Sequence, residues 1–460
     1  MAVAKFWHIY AGLLLVRLCI ALSKSYIHPD EMFQGSEIIV GDIFSWPIFK
    51  TWEFTSTSPI RSIVPIYFFQ SPLLYHLRFF TSVDSGRLIF YTLRLQQFLW
   101  SLVIDVLIYT ITKSQLTMLL FASSYTTLAY HTHTFSNSWE TILVLGALVA
   151  SQGDNVSLLL GPITCLGMFT RISYPAFMLP LAVTRVRAML VRTKQKEWAI
   201  DEDQIQFNAF SLTTFCLVAL IMVYLDTLYY TGNWLTPFNL NRTVMTVLNN
   251  LSYNTNVSNL SEHGIHPRYT HILNLILLLG PGILLVPRLR KNIYTASMFS
   301  GLFLLSVAPH QEARFLLPCV ALFFAGLKTR KLSGMFWTIW LVFNFAMTIF
   351  MGVFHQCGVI PVALHIGNAY PNTTVTWTKS YPAPTLLLGP HARVKHVYGT
   401  LTEAPDSELY VAPLSDPVRY EGYNLVFSEK WHVNLDDFDV LGMDVFKHRS
   451  LGVYKRHQAL

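Results

Sequence analysis

The sequence predicts a multispanning α-helical membrane protein that ends in a small α/β or β-rich domain. Hydrophobic residues make up 52% of the 460 residues and charged residues only 13%, about half of the ~25% that is typical of soluble chains. The apolar residues form long runs separated by short polar or basic stretches. The stretch 356–460 lacks such runs and mixes β-branched, aromatic, charged and turn residues, which is typical of short strands.

About eleven apolar segments predict membrane spans. They lie near 5–23, 61–80, 87–112, 116–131, 139–151, 157–183, 207–230, 271–287, 293–308, 313–327 and 335–355. A straight span needs ~20 residues, so 139–151 is short by itself, and 61–80, with Pro65, Pro72 and Arg78, is the weakest candidate. The first segment lacks an A-x-A cleavage site and contains Arg17, so we expect a retained helix or signal anchor in preference to a cleaved signal peptide.

Three basic clusters predict the orientation. The stretches 185–196, 288–291 and 328–331 are rich in Lys and Arg and should be cytosolic by the positive-inside rule. Because the Lys and Arg residues cluster in these loops, the net charge of +7 does not indicate a nucleic-acid partner. Counting spans from these loops predicts a cytosolic N-terminus, a membrane domain over 1–355 and a luminal domain over 356–460. The same count makes 24–60, 231–270 and 308–315 luminal. N-x-S/T sequons, which mark luminal loops, fall in stretches predicted to be luminal: Asn155, Asn241, Asn250, Asn256, Asn259 and Asn372.

The motif "HPDEMFQ" at 28–34 follows the first predicted span. Asp30 and Glu31 can be read as an ordinary solvated helix start, where carboxylates are favourable. They can also be read as a general base held at the membrane surface, suited to a lipid-borne donor and a sugar hydroxyl acceptor.

Three further polar clusters lie in stretches predicted to be luminal, at 51–62, 261–271 and 309–318. Interfacial snorkelling explains such residues in part, but the clusters also offer cations and hydrogen-bonding groups for a phosphate or diphosphate. Arg171, Asp105, Glu140 and Asp226 interrupt apolar segments, where a charge needs a partner or a cavity. The motif "HTHTFSNSWE" at 131–140 resembles a site motif, although the span count places it on the cytosolic side; either 61–80 is re-entrant or the motif is structural.

Other signals are weak. The five cysteines are scattered, mostly in apolar runs and without C-x-x-C, so we interpret them as small buried hydrophobes. Two D-x-D patterns, at Asp201 and Asp203 and at Asp437 and Asp439, are interpreted as surface acids. We identify no convincing metal-ligand constellation.

The motifs "HPDEMFQ", "TWEFT", "HTFSNS", "HGIHPR" and "HQEARFLLP" together resemble those of glycosyltransferase family 22, in consistent order to about residue 355. The resemblance implies the GT-C fold, an endoplasmic-reticulum membrane location, and mannose transfer from dolichyl phosphate mannose to a lipid-linked glycan in the lumen. The pair "HPDE-x-FQ" and "HGIHPR" resembles the branch that adds the fourth mannose to the glycosylphosphatidylinositol (GPI) precursor.

The resemblance also implies roles for individual residues. Asp30 would be the catalytic base, with Glu31 as helper or substitute, and the configuration would invert in one displacement. A single acidic pair, in place of two separated carboxylates, agrees with inversion. The cations would stabilise the leaving phosphate without a metal or other cofactor. The residues expected to bind the donor phosphate or substrate are His28, Arg171, His266, Arg268, His310, Glu312 and Arg314.

Three alternatives stay open from the sequence. The chain could act on another acceptor, either the precursor that receives the third GPI mannose or the lipid-linked oligosaccharide of N-glycosylation. It could be a transporter, although we find no repeated halves or matching broken helices. It could also be a non-catalytic subunit of a membrane complex.

Overall fold

The computed structural model describes residues 3–152, 158–192, 198–236, 239, 242–261, 264–328, 330–398, 407–414, 422–434 and 449–457. The predicted site residues all fall within these ranges. His263, Asn155, Asn241, Asp437 and Asp439 lie outside them.

A helical region forms most of the chain. Its α-helices are α1 (Val3–Ala21), α2 (Asp30–Phe33), α3 (Ser36–Phe44), α4 (Trp52–Thr55), α5 (Ile63–Phe80), α6 (Gly86–Thr112), α7 (Gln115–Ala122), α8 (Tyr125–Leu128), α9 (Ser136–Ala150), α10 (Leu160–Thr170), α11 (Tyr174–Ala188), α12 (Glu202–Thr231), α13 (Thr246–Thr255), α14 (Val257–Ser261), α15 (Thr270–Leu279), α16 (Ile293–Val307), α17 (Leu317–Gly326), α18 (Gly334–Ile349) and α19 (Val359–Ala369). Shorter helical turns include Tyr130–Thr132, Gly280–Arg288, Ala313–Leu316, Phe350–Phe354 and Thr385–Leu388.

Five described helical segments are long and apolar enough to cross a membrane, and the chain is a multi-pass membrane protein. They are Ala4–Ala21, Gly86–Thr112, Glu202–Thr231, Thr270–Arg288 and Gly334–Phe354. The other predicted segments are also helical, and apart from α5, an 18-residue helix, they are shorter or broken. Segment 157–183, for example, is interrupted at Arg171, whose backbone is extended (φ −151°, ψ 136°). The prediction of eleven spans is therefore not confirmed.

Segment 61–80 forms α5, which packs on the first loop. Its Tyr67 donates a hydrogen bond to Asp42 (3.2 Å) and its Gln70 to Ser36 (3.2 Å). Its first backbone N–H, that of Ile63, donates to Asp226 near the end of α12 (2.9 Å). These hydrogen bonds join α5 to the first loop and to α12.

The motif 131–140 lies beside the first loop, whereas the span count placed the two stretches on opposite sides of the membrane. The Ser25 hydroxyl and His133 Nε2 are 3.0 Å apart, and the Thr134 hydroxyl donates to the Glu31 carbonyl. The count treated every apolar segment as a full span, whereas α7 and α8 have only eight and four residues.

The C-terminal part contains a five-stranded sheet, which confirms the predicted α/β or β-rich character. Its strands are β3 (Thr374–Trp377), β4 (Lys395–Tyr398), β5 (Leu409–Pro413), β6 (Tyr423–Lys430) and β7 (Ser450–Arg456), while β1 (Leu190–Arg192) and β2 (Trp198–Ile200) form a separate antiparallel pair. The spatial order is β4-β3-β5-β7-β6. Strand β3 runs parallel to β4 and β5, and β7 runs antiparallel to β5 and β6. The predicted final strand "SLGVYKR" is β7.

The sheet and the first loop share one hydrophobic core. Ile38, Ile39 and Val40 of α3 are fully buried in the same cluster as Trp377 of β3 and Val453 of β7. Burial of apolar surface contributes roughly 25 cal/mol per Å², so this shared core fixes the first loop against the C-terminal part. The boundary predicted at 355–356 stays a prediction.

Candidate active site

A cavity of about 370 Å³ opens on the face formed by the first loop. Its wall is built from the first loop, α4, α13, the break between α10 and α11, and the turn that precedes α17. The charged and histidine residues that line it are His28, Asp30, Glu53, Arg61, Arg171, His310, Glu312 and Arg314. Five of the residues predicted from the sequence to bind substrate therefore meet in one place, together with Asp30.

Asp30 begins the short helix α2, directly after Pro29. Its Oδ2 accepts hydrogen bonds from Arg314 (2.6 Å) and from the amide of Gln34. Its side chain is one quarter exposed, towards the cavity. Burial by itself would raise the pKa of the Asp30 carboxyl, but the charges of Arg314 and His28 outweigh burial and lower it. Asp30 is therefore ionised at neutral pH.

Arg314 links two carboxylates. Its second contact is from Nε to Glu312, whose other oxygen accepts from His310 Nε2 (2.7 Å). Burial opposes ionisation of Glu312, yet Arg314 and the hydrogen bond from His310 hold its pKa well below the usual range. The same hydrogen bond raises the pKa of His310. The remaining Arg314 nitrogen, NH1, is buried and has no hydrogen-bond partner among the described residues.

Glu31 points the other way. Its side chain is fully buried and pairs with Arg94 of α6 at 3.0 Å, and its Oε1 accepts from the Ile27 backbone N–H (3.0 Å). It lines neither the cavity above nor the second cavity described below. Burial raises the pKa of Glu31 to about 7, although Arg94 opposes this. Of the two adjacent acids, Asp30 faces the cavity and Glu31 does not. Glu53 and Glu312 are further carboxylates in the cavity.

Arg171 reaches the cavity at the helix break. It donates to the hydroxyl of Ser136 in the 131–140 motif (2.8 Å) and pairs with Glu140 (3.5 Å). The guanidinium carbons of Arg171 and Arg314 lie 5.2 and 5.4 Å from the centroid of the Phe315 ring. The Phe315 ring therefore contacts both guanidinium groups. The 131–140 motif holds Arg171 in place through Ser136 and Glu140.

A second cavity of about 560 Å³ lies behind the same charged wall. It shares His28, His310, Glu312 and Arg314 with the first cavity, but the rest of its lining includes Ile27, Tyr130, Phe135 and Met351. His266 lines this second cavity, and its ring centroid is 5.7 Å from that of His310. Arg268 is exposed and lines neither cavity; its carbonyl accepts from Gln311 (3.5 Å).

Sequence reasoning missed Arg94 and Arg17. Both are fully buried and pair with acids, Arg94 with Glu31 and Arg17 with Asp105 (2.9 Å). The available signal was that a cation within an apolar segment needs a partner. That rule predicts that a partner exists, but the chain positions that face each other depend on how the helices pack.

No group of three or more His, Cys, Asp or Glu side chains among the described residues is placed to hold a metal ion. Asp201, one of the D-x-D acids, caps the N-terminus of α12 by accepting from the Gln204 N–H (3.1 Å).

Comparison with known proteins identifies the family of the chain. The Alg9-like mannosyltransferase family matches residues 8–384. A protein of Emericella nidulans named GPI mannosyltransferase 4 is 36% identical over 87% of this chain and 80% of its own length. Proteins of the same name from Aspergillus oryzae and Candida glabrata are 35% and 37% identical, over 83% and 81% of this chain and 77% and 75% of their own lengths.

No solved structure matches the chain significantly. The family match spans both cavities and the whole charged wall between them. The relatives are more than 30% identical over most of the chain. This chain belongs to the Alg9-like mannosyltransferase family.

Proposed function

We propose that the protein is an α-1,2-mannosyltransferase of GPI-anchor biosynthesis. In this proposal it transfers the fourth mannose from dolichyl phosphate mannose to the third mannose of the lipid-linked GPI precursor. The observation that carries the proposal is the ionised Asp30 in the cavity beside Arg314, in a chain whose relatives are named GPI mannosyltransferase 4.

Asp30 is the base in this reaction. It accepts the proton of the acceptor 2-hydroxyl as that oxygen forms a bond to C1 of the donor mannose. The bond from C1 to the phosphate oxygen breaks on the opposite face, and its electron pair leaves with dolichyl phosphate. One displacement inverts the β-linked donor to an α-linked product and needs no covalent glycosyl-enzyme. Of the two acids in the motif, only Asp30 lines the cavity.

Arg314 and His310 stabilise the leaving phosphate, with His266 and Arg171 as further cationic or donor groups. Arg314 lines both cavities, which places its charge next to a phosphate bound there. The apolar part of the second cavity suits the start of the polyprenyl chain. Because these side chains supply the positive charge, the proposal invokes no metal or cofactor.

Donor binding also adjusts the base. A carboxylate whose pKa is held low by Arg314 is a weak proton acceptor. A phosphate bound to Arg314 shares that positive charge, so the pKa of Asp30 rises in the ternary complex. The base is therefore strengthened when the donor is in place.

The proposed location is the endoplasmic-reticulum membrane, with the N-terminus in the cytosol and the site and C-terminus in the lumen. The basic clusters at 185–196, 288–291 and 328–331 support this orientation. The lumen is also the side on which a sequon such as Asn372, exposed beside β3, can be glycosylated.

The test is transfer by the purified protein from radiolabelled dolichyl phosphate mannose. The acceptors are a GPI precursor with three mannoses, one with two mannoses, and a lipid-linked oligosaccharide. We expect transfer to the three-mannose lipid alone, and its loss in Asp30→Asn. The matched control is Asp42→Asn, since Asp42 is in the same loop but pairs with Tyr67 and Tyr229 outside the cavity. Transfer to a rival acceptor would refute the fourth-mannose assignment, and full activity of Asp30→Asn would refute the base.

A further inference from the structure

Two aromatic side chains form an exposed surface at the outer wall of the first cavity. Trp52 of α4 and Tyr253 of α13 have ring centroids 4.5 Å apart at an interplanar angle of 34°. Both line the cavity that contains Asp30, and Trp52 is 42% exposed. This pair, the Trp52–Tyr253 platform, therefore offers an aromatic face to a ligand in the cavity that contains Asp30.

The platform is held rigidly by contacts beneath it. Asn250 of α13 donates from Nδ2 to the Ile60 carbonyl (3.2 Å), and Asn249 donates to the Pro59 carbonyl (3.0 Å). At the start of α13, the Thr246 hydroxyl donates to Asp226 (2.8 Å). These bonds join two loops that are distant in sequence, so the spacing of the two rings is fixed before a ligand binds.

Polar groups surround the platform in a pattern that suits a sugar. Arg61 pairs with Glu53 at 2.7 Å, and Asn254 donates to the Asn250 side-chain oxygen (2.6 Å); all four line the cavity. Amides, carboxylates and guanidinium groups can each bind two vicinal hydroxyls. The negative face of an aromatic ring attracts the C–H hydrogens on the face of a pyranose. Because the two rings stack on each other at 4.5 Å, one mannose fits on the outer face of Trp52, the more exposed ring, with its hydroxyls on the polar rim.

We propose that the Trp52–Tyr253 platform, with Asn254, Glu53 and Arg61, binds a mannose of the acceptor glycan and positions its acceptor hydroxyl towards Asp30. We assign the donor's phosphate and polyprenyl chain to the second cavity, which shares His28, Glu312 and Arg314 with the first cavity but does not include the platform. The inference rests on the proposed function, since it places the acceptor of that reaction.

The test separates acceptor from donor. In Trp52→Ala and Tyr253→Ala we expect KM for the three-mannose acceptor to rise ~10-fold, the effect of losing about one stacked contact, while KM for dolichyl phosphate mannose stays within about twofold. Trp52→Phe should recover part of the loss. The control is Trp234→Ala, because Trp234 is 63% exposed on the same face but lines neither cavity. An unchanged KM for the acceptor, or an equal rise in KM for acceptor and donor, would refute acceptor binding at the platform.

A binding measurement keeps the test independent of turnover. Saturation-transfer NMR with a soluble mannose trisaccharide should detect contact with the wild-type protein, and the signal should be lost in Trp52→Ala but kept in Trp234→Ala. If the wild type transfers to no GPI precursor yet shows this pattern, the proposed function fails and the platform stands. If the trisaccharide signal is the same in Trp52→Ala and wild type, the platform is refuted whatever the reaction.

Discussion

Two sides of the first loop differ in what their charges do. On the cavity side, Asp30 and Glu312 are partly exposed to a space large enough for a substrate, and both pair with Arg314. On the helix side, Glu31 and Arg94 form a fully buried pair that no ligand can reach. Asp30 and Glu31 are neighbours in sequence and have the same chemistry, yet the pKa of Asp30 is lowered and that of Glu31 is raised.

The cause is the short helix α2. Successive side chains of a helix point about 100° apart, so one acid turns to the cavity while the next turns to α6. The charges of the cavity side should therefore govern transfer, and those of the helix side should govern stability. The following experiments test that division.

The largest effect is expected at Asp30. Asp30→Asn keeps the shape and the hydrogen bond from Gln34 but removes the base, so the transfer rate should fall by about 10³-fold, in the range that general-base removal costs. Thermal unfolding of the variant in detergent should stay near that of the wild type. Glu31→Gln, measured in the same assay, should lose far less of its rate per folded molecule. If Glu31→Gln loses as much as Asp30→Asn, the division between the two sides is refuted.

The next effect is on stability. Glu31→Ala leaves Arg94 buried without its partner, which costs about 3–5 kcal/mol. We expect a large fall in the unfolding temperature and in the yield of folded protein. The double variant Glu31→Leu/Arg94→Met replaces the pair with apolar groups and should regain much of that stability. If the folded double variant cannot transfer mannose, Glu31 takes part in the reaction.

A smaller effect is the pH dependence of transfer. Asp30 must be ionised to accept a proton, and its pKa is lowered mainly by the charge of Arg314. The wild-type kcat/KM, which reports the pKa of the free enzyme, should therefore stay high as the pH falls to the usual Asp range. Arg314→Gln removes that charge and raises the pKa of Asp30, so the acid limb of the rate profile should move to higher pH. Arg314→Lys keeps the charge and serves as the control. Identical acid limbs in wild type and Arg314→Gln would show that a group other than Asp30 titrates.

The smallest effect concerns glycosylation. Asn250 lies in a sequon but lines the first cavity, and its Nδ2 donates to Ile60. A glycan on this nitrogen would break that bond and fill the cavity. Mass spectrometry of peptides from the active protein should show Asn250 unmodified, whereas the exposed Asn256 and Asn372 are accessible. Complete occupancy of Asn250 in active protein would place the acceptor elsewhere.

Prediction from the sequence succeeded where the signal is local. Apolar runs gave helices at the predicted places, and the mixed C-terminal stretch gave strands with "SLGVYKR" as the last. Apolar character alone does not show which segments cross the membrane, so the count placed 131–140 opposite the first loop, although the two stretches are in contact. Among the site residues, His28, Asp30, Arg171, His310, Glu312 and Arg314 meet in the cavity, but Arg268 does not.

The sequence by itself determined the class of the protein, the helical segments and the set of polar motifs, because composition, periodicity and motif spacing are properties of the chain. Only the tertiary structure decided which of two adjacent acids faces the cavity, that Arg314 pairs with Asp30, and that Trp52 meets Tyr253. Those contacts join residues that are tens to hundreds of positions apart, and the packing of the first loop against α6, α13 and the C-terminal sheet brings them together.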